Sequence, residues 1–101
     1  VAGTSQRVTS RRLFLAVEEA ARDRKLFDHY AAGAAALGLA PTPFFSGGSA
    51  DSGFTSALGV PTLCGTGPIG EHAHTPDEVC HLDTLVPRAQ AVALAILRLE
   101  A

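Results

Sequence analysis

Apolar residues recur at three- and four-residue steps in several stretches of this chain and bunch without period in two others. Leu13, Val17, Ala20 and Ala21 share one such stripe, with Glu18 four positions before Arg22, so the spacing predicts a helix from Thr9 or Ser10 to about Asp23. Leu26, Tyr30, Gly33 and Leu37 form a second stripe over about Lys25 to Leu37, and Gly38 stands where a helix closes through a left-handed residue. The pattern leaves open whether these are two helices or one bent helix. Pro41 and Pro43 end the helical habit, and Phe44-Phe45 reads as a short buried strand. Asp51 is placed to cap a short helix through Leu58 that Gly59 and Pro61 terminate. Pro61–Cys64 reads as a second buried strand, followed by the glycine-rich run 65–70 and a polar loop, Glu71–His81. A last helix is predicted from Asp83 or Thr84 to Leu99, with Leu85, Ala89, Val92, Ala93, Ile96 and Leu99 as its stripe. Helices alternating with short strands predict an α/β layer architecture.

Composition narrows the picture. The chain has 101 residues, 47% hydrophobic and only 18% charged, which excludes intrinsic disorder and requires a packed core. A net charge of -2 leaves no electrostatic footprint for nucleic acid or for an anionic membrane surface. The early basic residues Arg7, Arg11, Arg12, Arg22, Arg24 and Lys25 read as a solvated helix face. No apolar run reaches the roughly 20 residues a membrane span needs. Cys64 and Cys80 are too few for a disulfide scaffold and lack C-x-x-C spacing, so a reducing, cytoplasmic setting is expected. The apolar content is high for so small a domain, as if some faces expected a neighbour.

Two segments carry candidate chemistry. Gly47-Gly48-Ser49, followed by a helix start at Asp51, offers backbone N–H groups to a carboxylate or phosphate, although it matches neither nucleotide-binding glycine motif. The alternative is a tight turn with no ligand. Glu71, His72, His74, Asp77, Glu78 and His81 place six ligand-capable side chains within eleven positions. Imidazole and carboxylate are the donors zinc takes beside thiolate, but the spacing fits no compact four-ligand pattern. The alternatives there are a polar surface loop and a self-contained site from His72, His74, Asp77 and His81. His29 reads as a surface or helix-packing residue, and Cys64 as a small buried filler. Ser49 and Ser52 lack the G-x-S-x-G elbow of a serine hydrolase.

The order G-G-S-A-D-S-G-F-T-S-A-L-G-V-P-T-L-C-G-T-G-P-I-G, then H-T-P-D-E, then L-D-T-L-V-P-R-A resembles the C-terminal end of the zinc-dependent aminoacylase/carboxypeptidase family. Glutamate carboxypeptidase, acetylornithine deacetylase and succinyl-diaminopimelate desuccinylase belong to that family. The match runs from about Leu26 to Leu99. It implies the C-terminal portion of an α/β/α metallohydrolase catalytic domain over 24–101, with 1–23 as a lead-in and helix at the end of a lid domain or its junction. It implies hydrolysis of an amide next to a carboxylate, with two zinc ions (cobalt in some cases) per active site. The substrate would be a small molecule or dipeptide bearing a carboxylate, and the parent a homodimer. By the resemblance His74 is the last metal ligand in the chain, and Gly48 and Ser49 line the substrate pocket.

The departures shape the expectation. Family members commonly carry S-D-[AG]-N where this chain has Ala50-Asp51-Ser52-Gly53, and small residues, often glycine, where it has Glu71-His72. Glu78 matches a recurring glutamate, read as support for the ligand rather than as the general base. The family's other ligands and its catalytic glutamate lie upstream of the matched region, so no catalytic residue is assigned here. With no methionine in the sequence, the expectation is a C-terminal piece of a two-zinc amidohydrolase, inactive alone. The competing expectation is a truncated, non-catalytic α/β module that self-associates to cover its apolar faces.

Overall fold

A computed structural model of the chain describes residues 2–5, 7 and 15–99. In chain order these form α1 (Ala21–Ala35), α2 (Ser52–Ala57), β1 (Gly70–Glu71), β2 (Val79–Cys80), a 3-10 turn (Leu82–Thr84) and α3 (Leu85–Arg98). The mixture of helices with a small antiparallel sheet agrees with an α/β class at that coarse level.

Among the described residues one helix, α1, stands in the region of the predicted pair, and Asp23 sets where it starts. Of the predicted first helix, residues 15–20 are not helical, 21–23 open α1, and the positions before 15 lie outside the described residues. Ala20 is extended, while its carbonyl accepts from the N–H groups of Asp23 and Arg24. The Asp23 carboxylate folds back to accept the Ala20 N–H at 3.1 Å. That reciprocal arrangement is half of a capping box, and it satisfies a donor the helix cannot use. The other carboxylate oxygen accepts the Thr62 N–H at 2.8 Å, tying the segment after α2 to the start of α1. Arg22 adds a bond to the Ser56 carbonyl.

Asp23 is buried, and the Thr62 N–H holds its carboxyl below the usual carboxylate range. Burial opposes that shift; the Ala20 amide and the Arg22 charge add to it. A depressed folded-state pKa stabilises the fold fully above the unfolded-state value, about 3.9 for aspartate. The contribution is lost as pH falls through the folded-state value. Denaturant midpoints followed from pH 7 to pH 2 are therefore expected to drop below about pH 4. In Asp23→Asn the midpoint should be lower at pH 7 and that part of the acid slope absent; an unchanged slope would contradict the assignment.

Gly38 and Gly59 close α1 and α2 as the sequence predicts. Each has a positive φ, +74° and +80°. In each, the glycine N–H and the next N–H reach back to carbonyls of the last turn (Ala35 and Ala34, Ser56 and Thr55), the pattern of a Schellman cap. Asp51 does precede α2, but its side chain makes no capping bond.

The core lies where α1 crosses α3. Tyr30, Ala34, Ala91 and Ala95 are buried there, with Leu39, Leu63 and Val92 packed against them. Gly33 lies at the crossing, where a Cβ would sit 3.5 Å from the Ala95 backbone nitrogen, an ordinary van der Waals contact. His29 reaches across with Nε2 2.8 Å from the Ala95 carbonyl, so it is a helix-packing residue that donates its ring N–H. The small residues Ala91 and Ala95 are buried at the crossing, Val92 and Leu94 are half-buried, and most of the other large residues of α3 are exposed. Leu85, Ile96 and Leu99 of the predicted stripe are exposed, as is Leu97 outside it.

Both predicted buried strands are absent. Phe44 and Phe45 are 84% and 95% exposed, and neither they nor Pro61–Cys64 pair with another strand. Cys64 is exposed rather than a buried filler. A strand exists only through its ladder, and the described residues contain no neighbour for either segment. The exposed surface is 8294 Å². A compact monomer of this mass would expose roughly 5,400 Å². The radius of gyration is 17.8 Å, against about 13 Å for a compact chain of this length.

Candidate metal-ligand hairpin and glycine loop

The segment Glu71–His81, expected as plain loop, is a tight hairpin. β1 and β2 run antiparallel with Gly70 opposite Cys80 and Glu71 opposite Val79. Gly70 is required at the base, since a Cβ there would come within 2.9 Å of the Val79 carbonyl oxygen. The His81 N–H extends the ladder to the Ile69 carbonyl. Thr84 then anchors the hairpin to the start of α3: its hydroxyl donates to the His81 carbonyl and accepts the Ile69 N–H.

His74 stands in the turn that joins the two strands. His72 and His74 both adopt left-handed backbone, with φ of 57° and 66°. Histidine visits this region more readily than most residues, yet two such positions two apart are costly unless the surroundings hold them. Thr75 provides part of that hold. Its N–H and hydroxyl both donate to the His72 carbonyl, and its Oγ1 accepts the Asp77 N–H. Glu78 provides the rest, accepting the His74 N–H at 3.3 Å while its own N–H donates to the Thr75 carbonyl.

This arrangement leaves the His74 imidazole exposed, and among the described residues neither ring nitrogen makes a hydrogen bond. A neutral imidazole in that condition suits a metal donor. It suits one donor only. Among the described residues no three of His, Cys, Asp and Glu converge so as to hold a metal ion, which disfavours the self-contained site from His72, His74, Asp77 and His81. His72 is turned to Glu71, with Nε2 3.9 Å from Oε2, and His81 lies 2.9 Å from the other oxygen of the same carboxylate.

Gly48 and Ser49 lie in the extended, exposed run between α1 and α2. The Gly48 N–H donates to Ser46 Oγ at 3.2 Å, so an anion there would displace an internal bond. Among the described residues no hydrogen bond or ion pair connects this loop to the hairpin. Sequence reasoning missed two features, the Asp23 tie and the Glu71–His81 pair. An aspartate in a first helical turn was a signal for the first. No sequence signal marked the second.

No helix is long and apolar enough to cross a membrane among the described residues. Comparison with curated proteins and with solved structures finds no match. The family model described as Peptidase family M20/M25/M40 matches residues 7–98. That covers nearly the whole chain, including α1, the glycine loop, the hairpin and α3, and the chain belongs to that family.

Proposed function

We propose that this chain is the C-terminal part of the catalytic domain of a two-metal hydrolase that cleaves amide or peptide bonds of N-acyl or peptide-linked amino acids. Residues 1–23 would form the junction with a lid domain. The observation that carries the reading is His74. It is an exposed imidazole free of hydrogen bonds among the described residues, on a hairpin whose strained backbone is held by Thr75 and Glu78. The match to a peptidase family supports the reaction class. The identity of the metal as zinc, and the likeness to carboxypeptidases and deacylases, rest on the motif resemblance.

His74 would be one ligand, with the other ligands and the general base coming from further protein. When bound, the metal pair would activate a water and polarise the substrate carbonyl. Glu78 would keep the His74 backbone in the left-handed region, so that the ring meets the metal without first reorganising. Gly48 and Ser49 would contact the substrate carboxylate, the Gly48 N–H exchanging Ser46 Oγ for the ligand. The exposed Phe44-Phe45 and the unpaired Pro61–Cys64 segment would be strands of the same domain's sheet, which explains their apolar sequence. An intact parent would be a homodimer with no nucleic-acid or membrane partner, in the cytoplasm.

The test is metal analysis of the intact protein together with hydrolysis of N-acyl amino acids and dipeptides before and after chelation. Bound zinc or cobalt with chelator-sensitive turnover is expected. A metal-free protein that folds stably and turns over none of these substrates would favour the non-catalytic, self-associating module instead.

A further inference from the structure

The hairpin carries a pair, Glu71 and His81, that the resemblance does not account for; Glu71 stands where the resemblance leads one to expect a small residue. Glu71 ends β1, and His81 immediately follows β2. Glu71 Oε1 and His81 Nε2 lie 2.9 Å apart, joining the two ends of the segment that presents His74. The same His81 donates its N–H to the Ile69 carbonyl, and its carbonyl takes two bonds from Thr84 at the start of α3. His81 is therefore the point at which the hairpin is fastened to the helical core. The sheet beneath His74 is only two residues long on each strand. So short a ladder fixes the turn weakly, and a side-chain bridge running diagonally along it, from Glu71 beside the turn to His81 at the open end, limits how far the strands can swing relative to α3.

We propose that Glu71 and His81 are positioning residues, a diagonal clamp along the short ladder that sets the aim of His74 toward its metal. The inference rests on His74 being a metal ligand. Neither side chain is a ligand in this scheme; both act through the backbone between Glu71 and His81. His72, whose Nε2 is 3.9 Å from the second Glu71 oxygen, is a side contact of the clamp and is not needed for it.

The experiment uses the intact, zinc-loaded protein with Glu71→Ala, His81→Ala, the double variant, and the exchanged pair Glu71→His with His81→Glu. Zinc affinity is read by competition with a chelator, and the thermal midpoint of the metal-free protein is read alongside. Each single variant is expected to lose zinc affinity by about tenfold, the lower end of the range for groups that orient a ligand. The midpoint should stay unchanged. The double variant should be no weaker than either single one, and the exchanged pair should recover most of the affinity. Unchanged affinity in both single variants would overturn the clamp, as would a loss matched by a fall in the metal-free midpoint. If His74→Ala itself retained zinc, the ligand reading would fail separately. The clamp would then be judged by hydrogen exchange of residues 72–78, where protection retained in both single variants would overturn it.

Discussion

His74→Ala in the intact protein is expected to abolish stoichiometric zinc and with it turnover. The argument starts from the backbone. A left-handed φ of 66° at a non-glycine residue persists because the Glu78 carboxylate and the Thr75 bonds hold the turn. The outcome is an imidazole pushed into solvent with both nitrogens free among the described residues. Losing a group that merely orients a ligand costs about 10–100-fold in metal affinity or activity, and losing the ligand itself should cost more. Because the alanine adds no bulk and the side chain is exposed, the thermal midpoint of the metal-free protein should not fall. Zinc content by elemental analysis and turnover on N-acyl amino acids check this directly. Both zinc ions and normal turnover in the variant would sink the assignment of His74.

Gly53→Ala should produce the largest loss of stability among single-atom-scale changes. Gly53 is buried in α2, and a Cβ there would lie 1.7 Å from the Leu15 carbonyl oxygen and 2.7 Å from its carbon. Both neighbours are backbone, so no rotamer change relieves the clash. Either α2 shifts or the extended segment 15–20 detaches from it. Overpacking of this kind costs typically about 1–3 kcal/mol, and a direct backbone collision belongs at or above the upper end. Alanine's better helix propensity returns no more than about 1 kcal/mol. Denaturant midpoints measure the loss, and hydrogen exchange in 15–20 identifies the detached segment. A variant as stable as the parent chain would show that Leu15 does not cross Gly53.

The elements legible in the sequence are those decided within a few residues. The ends of α1 and α2 were readable because Gly38 and Gly59 can adopt a positive φ that other residues resist. The extent of α3 followed from its apolar run beyond Thr84. The start of α1 was not readable. It depends on Asp23 meeting Thr62 as well as Ala20, a contact across 39 positions. The buried face of α3 is only partly the predicted stripe: Val92 packs against the core, but Ala91 and Ala95, which a periodicity count passes over, are the residues buried against Tyr30 and Ala34 of α1.

The site divides in the same way. His74, Glu78, Gly48 and Ser49 were nameable from motif order, but the left-handed turn at His72 and His74 was not. The resemblance held a trace of it, in the glycine common near Glu71-His72. The Glu71–His81 pair required the strand register of the hairpin, which brings positions ten apart within hydrogen-bonding distance.

By itself the sequence determined the helix stops, the family to which the chain belongs and the residue types offered to a metal. These depend on local dihedral preference and on linear order. Only the tertiary structure decided which faces are covered, where α1 begins, how His74 is presented, and that Phe44-Phe45 and Pro61–Cys64 pair with no strand among the described residues. Those outcomes depend on what lies across from each segment, because burial and strand pairing are properties of two surfaces rather than of one.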